Sequence, residues 1–598
     1  MSTKSKLDSC QPIGNDDCPT ADRHARFPCR LSHIPITMSL KVRRTLGNLL
    51  LLFALTFPAF GSAQNETQRR LTPEEVEAWR QDLHSLLEAI SRVHPNPFYR
   101  TSAAELDSVT RSLAADLPRL TRAEAIVGLM RIVATLHDGH SAIHPAFAQN
   151  LGFHYLALEL YQFSDGVFVR RADSANAALV GAQVLSIGRL NIDSAMRLAG
   201  GVISHENDYW VRRWAPFYLT IPEITEALGI TERLTETEMT VRRDGVQKSV
   251  RVRIAGELRP PAGHSIGSEV DRRTWVDMQP PGVSAALWTT HAGDPYWVEY
   301  LAANHMVYVS YRGIVSKPDG ESNPAFFERV FKMVDTLAVD SFVLDLRENG
   351  GGNNFFNRGV VRGIVQRPKI DRPGHLFVVT SRATFSAAQN LVIELERYTN
   401  AALVGEPTGN ATNFGGDNVP VTLPKTGLTV SISSLWWSAP NPRDRRESVS
   451  PQVAVDMSSS DYRRGLDPTL AAINRRVSEP SLEASLESDM ARNDTLAAQE
   501  LVKSFQDNPE NRFVSAEPIV NALGYRLLNQ HDTVRATAVF RLNTSLFPES
   551  ANAHDSLGEA YERGGDKVAA IRSYKRALAI DPGFASSRAG LARLGGRL

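Results

Sequence analysis

Cysteine is almost missing from this chain, and its placement is as informative as its scarcity. The 598 residues hold three, Cys10, Cys18 and Cys29, and all precede Met38. A protein starting at Met38 would have no thiol, and could fold in an oxidising compartment without a disulfide. The early cysteines, with His24 and His33, fit no zinc-finger spacing. An excess of either charge is missing too: Lys plus Arg and Asp plus Glu number 66 each. No polybasic block stands out, which argues against nucleic acid or an anionic membrane surface as partner. No helix carries histidine and carboxylate at metal-ligand spacing, and no Gly-rich loop with its lysine cradles a phosphate. Neither metal nor cofactor is expected.

What is present begins with an export signal. Lys41, Arg43 and Arg44 precede a mostly apolar stretch from Leu46 to Phe60, closed by Gly61-Ser62-Ala63. A basic flank, a short apolar run and a small-residue exit describe a signal peptide over 38–63, and hence a periplasmic or extracellular protein. The run is short for a membrane span, and an uncleaved anchor is the competing reading. Residues 1–37 read as a leader from a start codon assigned too early.

A chain of this length needs several cores. Residues 64–148 form a helical domain: Thr72-Pro73-Glu74-Glu75 and Thr121 to Glu124 are capping boxes, each followed by apolar residues at helical spacing. From 149 to 256 short strands dominate. There Gly181-Ala182-Gln183-Val184-Leu185-Ser186-Ile187-Gly188 is similar to the turn-and-strand of a PDZ domain, although Gly200 to Thr231 is long for that module. Residues 257–300 are Gly- and Pro-rich and read as linker. Strands alternating with helices over 301–475 predict an α/β domain with a largely parallel sheet. A linker helix is expected over 476–514. In 515–598, Gly524 and Gly558, Ala536 and Ala570, Phe540 and Tyr574, and Pro548 and Pro582 recur at a period that resembles tetratricopeptide repeats.

Two serines compete as nucleophile. Gly263-His264-Ser265-Ile266-Gly267 matches a nucleophile elbow, but Pro260-Pro261 before it and the linker around it supply neither strand nor helix. Ser386 has the right setting. The strand Val343 to Leu346 runs into Gly350-Gly351-Gly352, whose lack of side chains lets N–H groups approach a developing oxyanion. A second strand, Val378 to Thr380, leads to Ser386 at a helix start, near the positive end of the helix dipole. Taken alone, Ser386 is also a plain helix cap and the glycines a tight turn.

Together these segments resemble the tail-specific (C-terminal processing) peptidases. Asp345-Leu346-Arg347-Glu348-Asn349-Gly350-Gly351-Gly352, Thr384-Phe385-Ser386-Ala387-Ala388 and Val404-Gly405-Glu406-Pro407-Thr408-Gly409 follow that family's order. So do His94-Pro95-Asn96-Pro97, Asp138-Gly139-His140-Ser141, and Asp461-Tyr462 with Gly465 to Leu470. The resemblance spans roughly 72–475 and implies a ClpP/crotonase-like catalytic domain. It implies a serine-type peptidase with Ser386 as nucleophile, and Gly350, Gly351 and Ala387 as oxyanion donors. The lysine of one branch is missing after Thr408, the next being Lys425. The tricorn-like branch implies His140 as base, with His137 and His144 as weaker candidates. Its acid falls on Arg445, so Glu447 or Asp444 would have to substitute. Trp436 and Trp437 either border the groove or pack an edge strand. The expected partners are a peptide or protein substrate and a protein docked on the repeats, with a homo-oligomer left open. The competing function is an inactive binding protein that holds peptides in the same groove.

Overall fold

The computed structural model describes residues 69–258, 275–318, 320–438 and 440–596. The leader, the signal segment and the Ser265 elbow lie outside the described residues.

Both capping boxes form. Thr72 Oγ1 accepts the Glu75 N–H while the Glu75 carboxylate accepts the Thr72 N–H, opening Pro73–Val93; Thr121 and Glu124 do the same for Arg122–Ala134. The stripe of Val76, Trp79, Leu83, Leu86 and Ile90 is buried, as its spacing predicts. Asp82 on the same helix is fully buried too. Its oxygens accept the N–H groups of Lys425 and Thr426 at 2.9 and 2.7 Å. The helical layer is thereby tied to a turn of the α/β domain. Asp82→Ala strands two amides and should lower unfolding free energy by about 1–3 kcal/mol, read from the urea midpoint.

Residues 154–277 contribute an antiparallel sheet of eight strands. Its path runs His154–Leu156, Val246–Glu257, Glu236–Arg243, Gln183–Ile187, Gly166–Asp173, Leu158–Phe163, with two short strands paired beside it. The long segment before Glu236–Arg243 folds as helices Ile192–Gly200, Asp208–Tyr218 and Pro222–Ala227. Trp210, Trp214 and Tyr218 are buried on the second of these. In the loop preceding it, Ser204, Glu206 and Asn207 are buried as well.

The α/β domain is built on six strands in the order Val453–Ala454, Ala402–Gly405, Leu376–Thr380, Ser341–Asp345, Met306–Tyr311, Tyr296–Leu301. The first five run parallel, as the strand–helix alternation predicts. Tyr296–Leu301 closes the edge antiparallel to Met306–Tyr311, so the sheet starts inside the stretch expected to be linker. Nearly continuous apolar runs such as Phe342-Val343-Leu344 suit strands covered on both faces. Two buried arginines fix the loops after these strands. Arg347 bridges Asp345 at 2.8 Å and Asp467 at 3.1 Å, and Arg382 pairs with Glu406 at 2.7 Å. These contacts give Asp345, Arg347, Glu406 and Asp467 of the sequence motifs a structural duty.

The C-terminal region is helical. Gly524 faces Phe540, and Gly558 faces Tyr574 in the same way: a Cβ on either glycine would stand 2.5 or 2.7 Å from the ring. The recurring residues are therefore one interlock used twice. Where one linker helix was expected over 476–514 there are two, Leu482–Ala491 and Thr495–Asp507. Leu486, Met490, Ala498 and Val502 share a core with Val520, Leu527 and Phe540, so this stretch packs as another helix pair. Among the described residues no helix is long and apolar enough to cross a membrane.

Candidate active site

Ser386 stands where Leu376–Thr380 has ended and Ala387–Tyr398 begins. Its backbone has φ 54° and ψ −125°, a conformation rare for a residue with a side chain. Such strain costs on the order of 1–3 kcal/mol and persists where the surroundings enforce it. Three contacts do so. The Ser386 N–H donates to Asn410 Oδ1 at 2.8 Å, the Phe385 N–H to the Asn349 carbonyl at 3.0 Å, and Thr384 Oγ1 to the Leu346 carbonyl at 2.8 Å. Ser386→Gly, free of the strain, should unfold at higher temperature than Ser386→Ala, by about 1 kcal/mol in stability; calorimetry of the two variants compares them.

The glycine loop lies against the serine. A Cβ built on Gly351, whose φ is +108°, would fall 2.6 Å from Ser386 Cβ and 2.9 Å from the Ala387 nitrogen. Only glycine allows that approach. The three expected oxyanion donors differ, however. The Gly351 N–H is already given to Asn349 Oδ1 at 2.9 Å. The N–H groups of Gly350 and Ala387 have no acceptor among the described residues. These two remain available to a ligand.

His140 reaches the site through the turn after Arg122–Ala134. Its ring stacks on Phe385, the neighbour of Ser386, with centroids 4.4 Å apart, and on Phe414 at 5.5 Å. Both ring nitrogens are buried without a hydrogen-bond partner, so the imidazole is beside the serine's loop but not bonded to Ser386. Burial pulls His140 below the ordinary imidazole range, with Asp138 and Asp417 opposing. Burial thus favours the neutral form of the ring. Asp138 lies at the centre of a buried polar knot. Its Oδ2 accepts from His94 Nε2 at 3.0 Å, Ser141 Oγ at 2.5 Å and Ser433 Oγ at 2.6 Å, and its Oδ1 from the His140 N–H at 3.1 Å. Burial pushes that carboxyl up, but these donors and the His140 field outweigh it and hold it at about 2.

The other histidines serve packing. His144 is enclosed by Trp214, Tyr218 and Phe147, and burial pulls it down to about 3. His137 faces His205 with ring centroids 5.8 Å apart. Glu447 does not face His140: its carboxylate is 67% exposed and stands 3.5 Å from Arg100. Asp444 is held by Arg446, which also engages Glu396. Arginines thus draw the acids of this loop away from the imidazole. Lys425 lies on the turn held by Asp82. Trp437 donates to Asp417 at 2.6 Å and pairs with Phe414 across a two-stranded ribbon, so it supports the ring that stacks on His140.

The sequence did not single out Glu206, in the loop before Asp208–Tyr218. Its Oε1 accepts from Asn410 Nδ2 at 2.9 Å, joining it to the amide of Ser386, while Oε2 is buried and unpartnered. Burial and then Asp138 push its carboxyl up to about 8, against the Gly139 amide and Arg100. Asp138, His140 and Glu206 hold ligand-type atoms within 4.8 Å of one another. This is the sort of cluster that one-helix spacing rules miss. Asp138 has both oxygens engaged, which leaves His140 and Glu206 as the open pair.

No family model and no curated protein matches the sequence. Solved structures do. A point mutant of CPAF aligns with 67% of this chain and 97% of its own, at 13% identity and a TM-score of 0.50. The chain shares the fold of CPAF. The photosystem II D1 C-terminal processing protease matches over 66% of this chain and 96% of its own, at 13% identity and TM-score 0.33. Tricorn protease matches over 67% and 37%, at 12% identity and TM-score 0.32. At such identities the likeness is one of fold. Within that fold, this chain sets a strained serine, two free amides and a buried imidazole around one loop.

Proposed function

We propose that the protein is a serine-type peptidase that hydrolyses peptide bonds through an acyl-enzyme. The observation carrying this reading is the backbone of Ser386: a strained serine on a strand-to-helix turn, pressed against glycines, with unclaimed amides beside it. In the proposed reaction Ser386 Oγ attacks the scissile carbonyl and His140 takes its proton. The carbonyl oxygen, now charged, sits between the N–H groups of Gly350 and Ala387. His140 then protonates the leaving amine, and water repeats the sequence on the ester. The gap between His140 and Ser386 closes on substrate binding, since catalytic hydrogen bonds commonly tighten only in the complex.

The antiparallel sheet of residues 154–277, read as a PDZ-like module, would present or gate a substrate C-terminus. The repeat-like helices would dock a protein partner. The basic, apolar and small-residue order of 38–63 supports export to the periplasm or beyond.

Digestion of an unfolded protein by the chain, with new termini mapped by mass spectrometry, tests the reading. Cleavage by wild type and none by Ser386→Ala supports it. Capture of peptides by both proteins without any cleavage replaces it with the binding function.

A further inference from the structure

Burial leaves two complementary groups unsatisfied side by side. An unpaired buried polar group is costly, yet both nitrogens of His140 and Oε2 of Glu206 are in that state, and a nitrogen of His140 and a carboxylate oxygen of Glu206 lie within 4.8 Å of each other. Asp138 cannot serve His140's ring, because His94, Ser141, Ser433 and the His140 amide occupy its oxygens. Glu447 cannot either, since it faces Arg100 in solvent. Glu206, by contrast, touches both halves of the site. A carboxylate oxygen lies within 4.8 Å of an imidazole nitrogen, and Oε1 accepts from Asn410, whose Oδ1 in turn accepts the Ser386 N–H.

Building on the peptidase reading above, we propose that Glu206 is the positioning residue of this site: it orients His140, stabilises its imidazolium and steadies Ser386 through Asn410. It would take the part the sequence assigned to Glu447. A small rotation of either side chain, or one bridging water, completes the contact. The protons balance simply. One His140 nitrogen gives its N–H to the Glu206 carboxylate as a hydrogen bond, and the other accepts the Ser386 proton. That proton later goes to the leaving amine.

The contact has a pH signature. Groups facing the pair are Asp138 with His94 behind it, Arg100 and, on the His140 side, Asp417. A protonated Glu206 would donate to the imidazole nitrogen and block it as a base. The active form therefore needs Glu206 ionised, and burial with Asp138 sets that titration at about 8. Stability carries the opposite sign. Between pH 4.5 and about 8 the folded chain keeps a proton that the unfolded chain releases, so folding weakens as pH rises through that window.

The test is the rate of fluorophosphonate labelling of Ser386 against pH, in the full chain. For wild type the rate should rise through about pH 8. Glu206→Gln keeps an acceptor for Asn410 but cannot ionise. It should label at least about 10-fold more slowly above that pH, with its rise moved to lower pH. It should also outlast wild type in thermal unfolding at pH 8 and match it near pH 4.5. Asn410→Ala, which takes a donor from the Glu206 carboxylate and the acceptor from the Ser386 amide, should label slowly with its rise moved to higher pH. A Glu206→Gln profile identical to wild type, or a wild-type rise in the ordinary imidazole range, overturns the role of Glu206 and leaves the peptidase reading intact. No labelling of folded wild type at any pH removes both.

Discussion

Ser386→Ala is expected to lower kcat by about 10⁴-fold or more while leaving peptide binding in place. The hydroxyl is the one atom removed, and the groups that shape the site stay. Phe385 remains stacked on His140 at 4.4 Å, and Gly351 still lies against the residue's Cβ. A residual rate from the Gly350 and Ala387 amides is expected, because oxyanion donors act without the nucleophile. His140→Ala should cost about 10²–10⁴-fold. The double variant should be no worse than Ser386→Ala, since a base with no hydroxyl to activate contributes nothing. Steady-state hydrolysis of a fluorogenic peptide measures all three.

Gly351→Ala should lower kcat by about 10²-fold, although it removes no chemical group. Its methyl would fall 2.6 Å from Ser386 Cβ, 2.9 Å from the Ala387 nitrogen and 3.1 Å from the Phe385 carbonyl oxygen. Two of those atoms are backbone and cannot swing away, and φ of +108° adds strain for any side chain. The loop must move by about 1 Å, and displacements of that size cost about 10²-fold in rate. Gly350→Ala is the control. A Cβ there meets nothing within 4 Å, so the loop keeps its place and turnover should fall less than in Gly351→Ala. If the two variants are equally active, the close packing of loop and serine is not what organises the site.

Much of this arrangement was legible in the sequence because it is local. The strand before Gly350, the strand before Ser386 and the parallel sheet beneath them follow from apolar runs ended by glycine or by a capping serine. The turn carrying His140 follows from where its helix stops. What stayed hidden depends on contacts between distant segments. Glu206 and Asn410 are separated by 204 positions, and nothing in the residues around Glu206 distinguishes it from other carboxylates in the chain. Its helical insertion also had no counterpart in the PDZ-like pattern. Glu447 looked suitable by position, yet Arg100 and Arg446 govern the acids of that loop, and such pairing is invisible without the fold. The helix pair over 482–507 was read as one linker helix for another reason: it joins the C-terminal core without the Gly–aromatic interlock that marks the repeats.

Peptide mapping by mass spectrometry after fluorophosphonate treatment of the intact, folded chain tests the central claim most directly. One adduct on Ser386, absent after thermal unfolding and absent in His140→Ala over the same interval, is the predicted result. A folded chain that takes up no probe, or one modified at Ser265 instead, would contradict it.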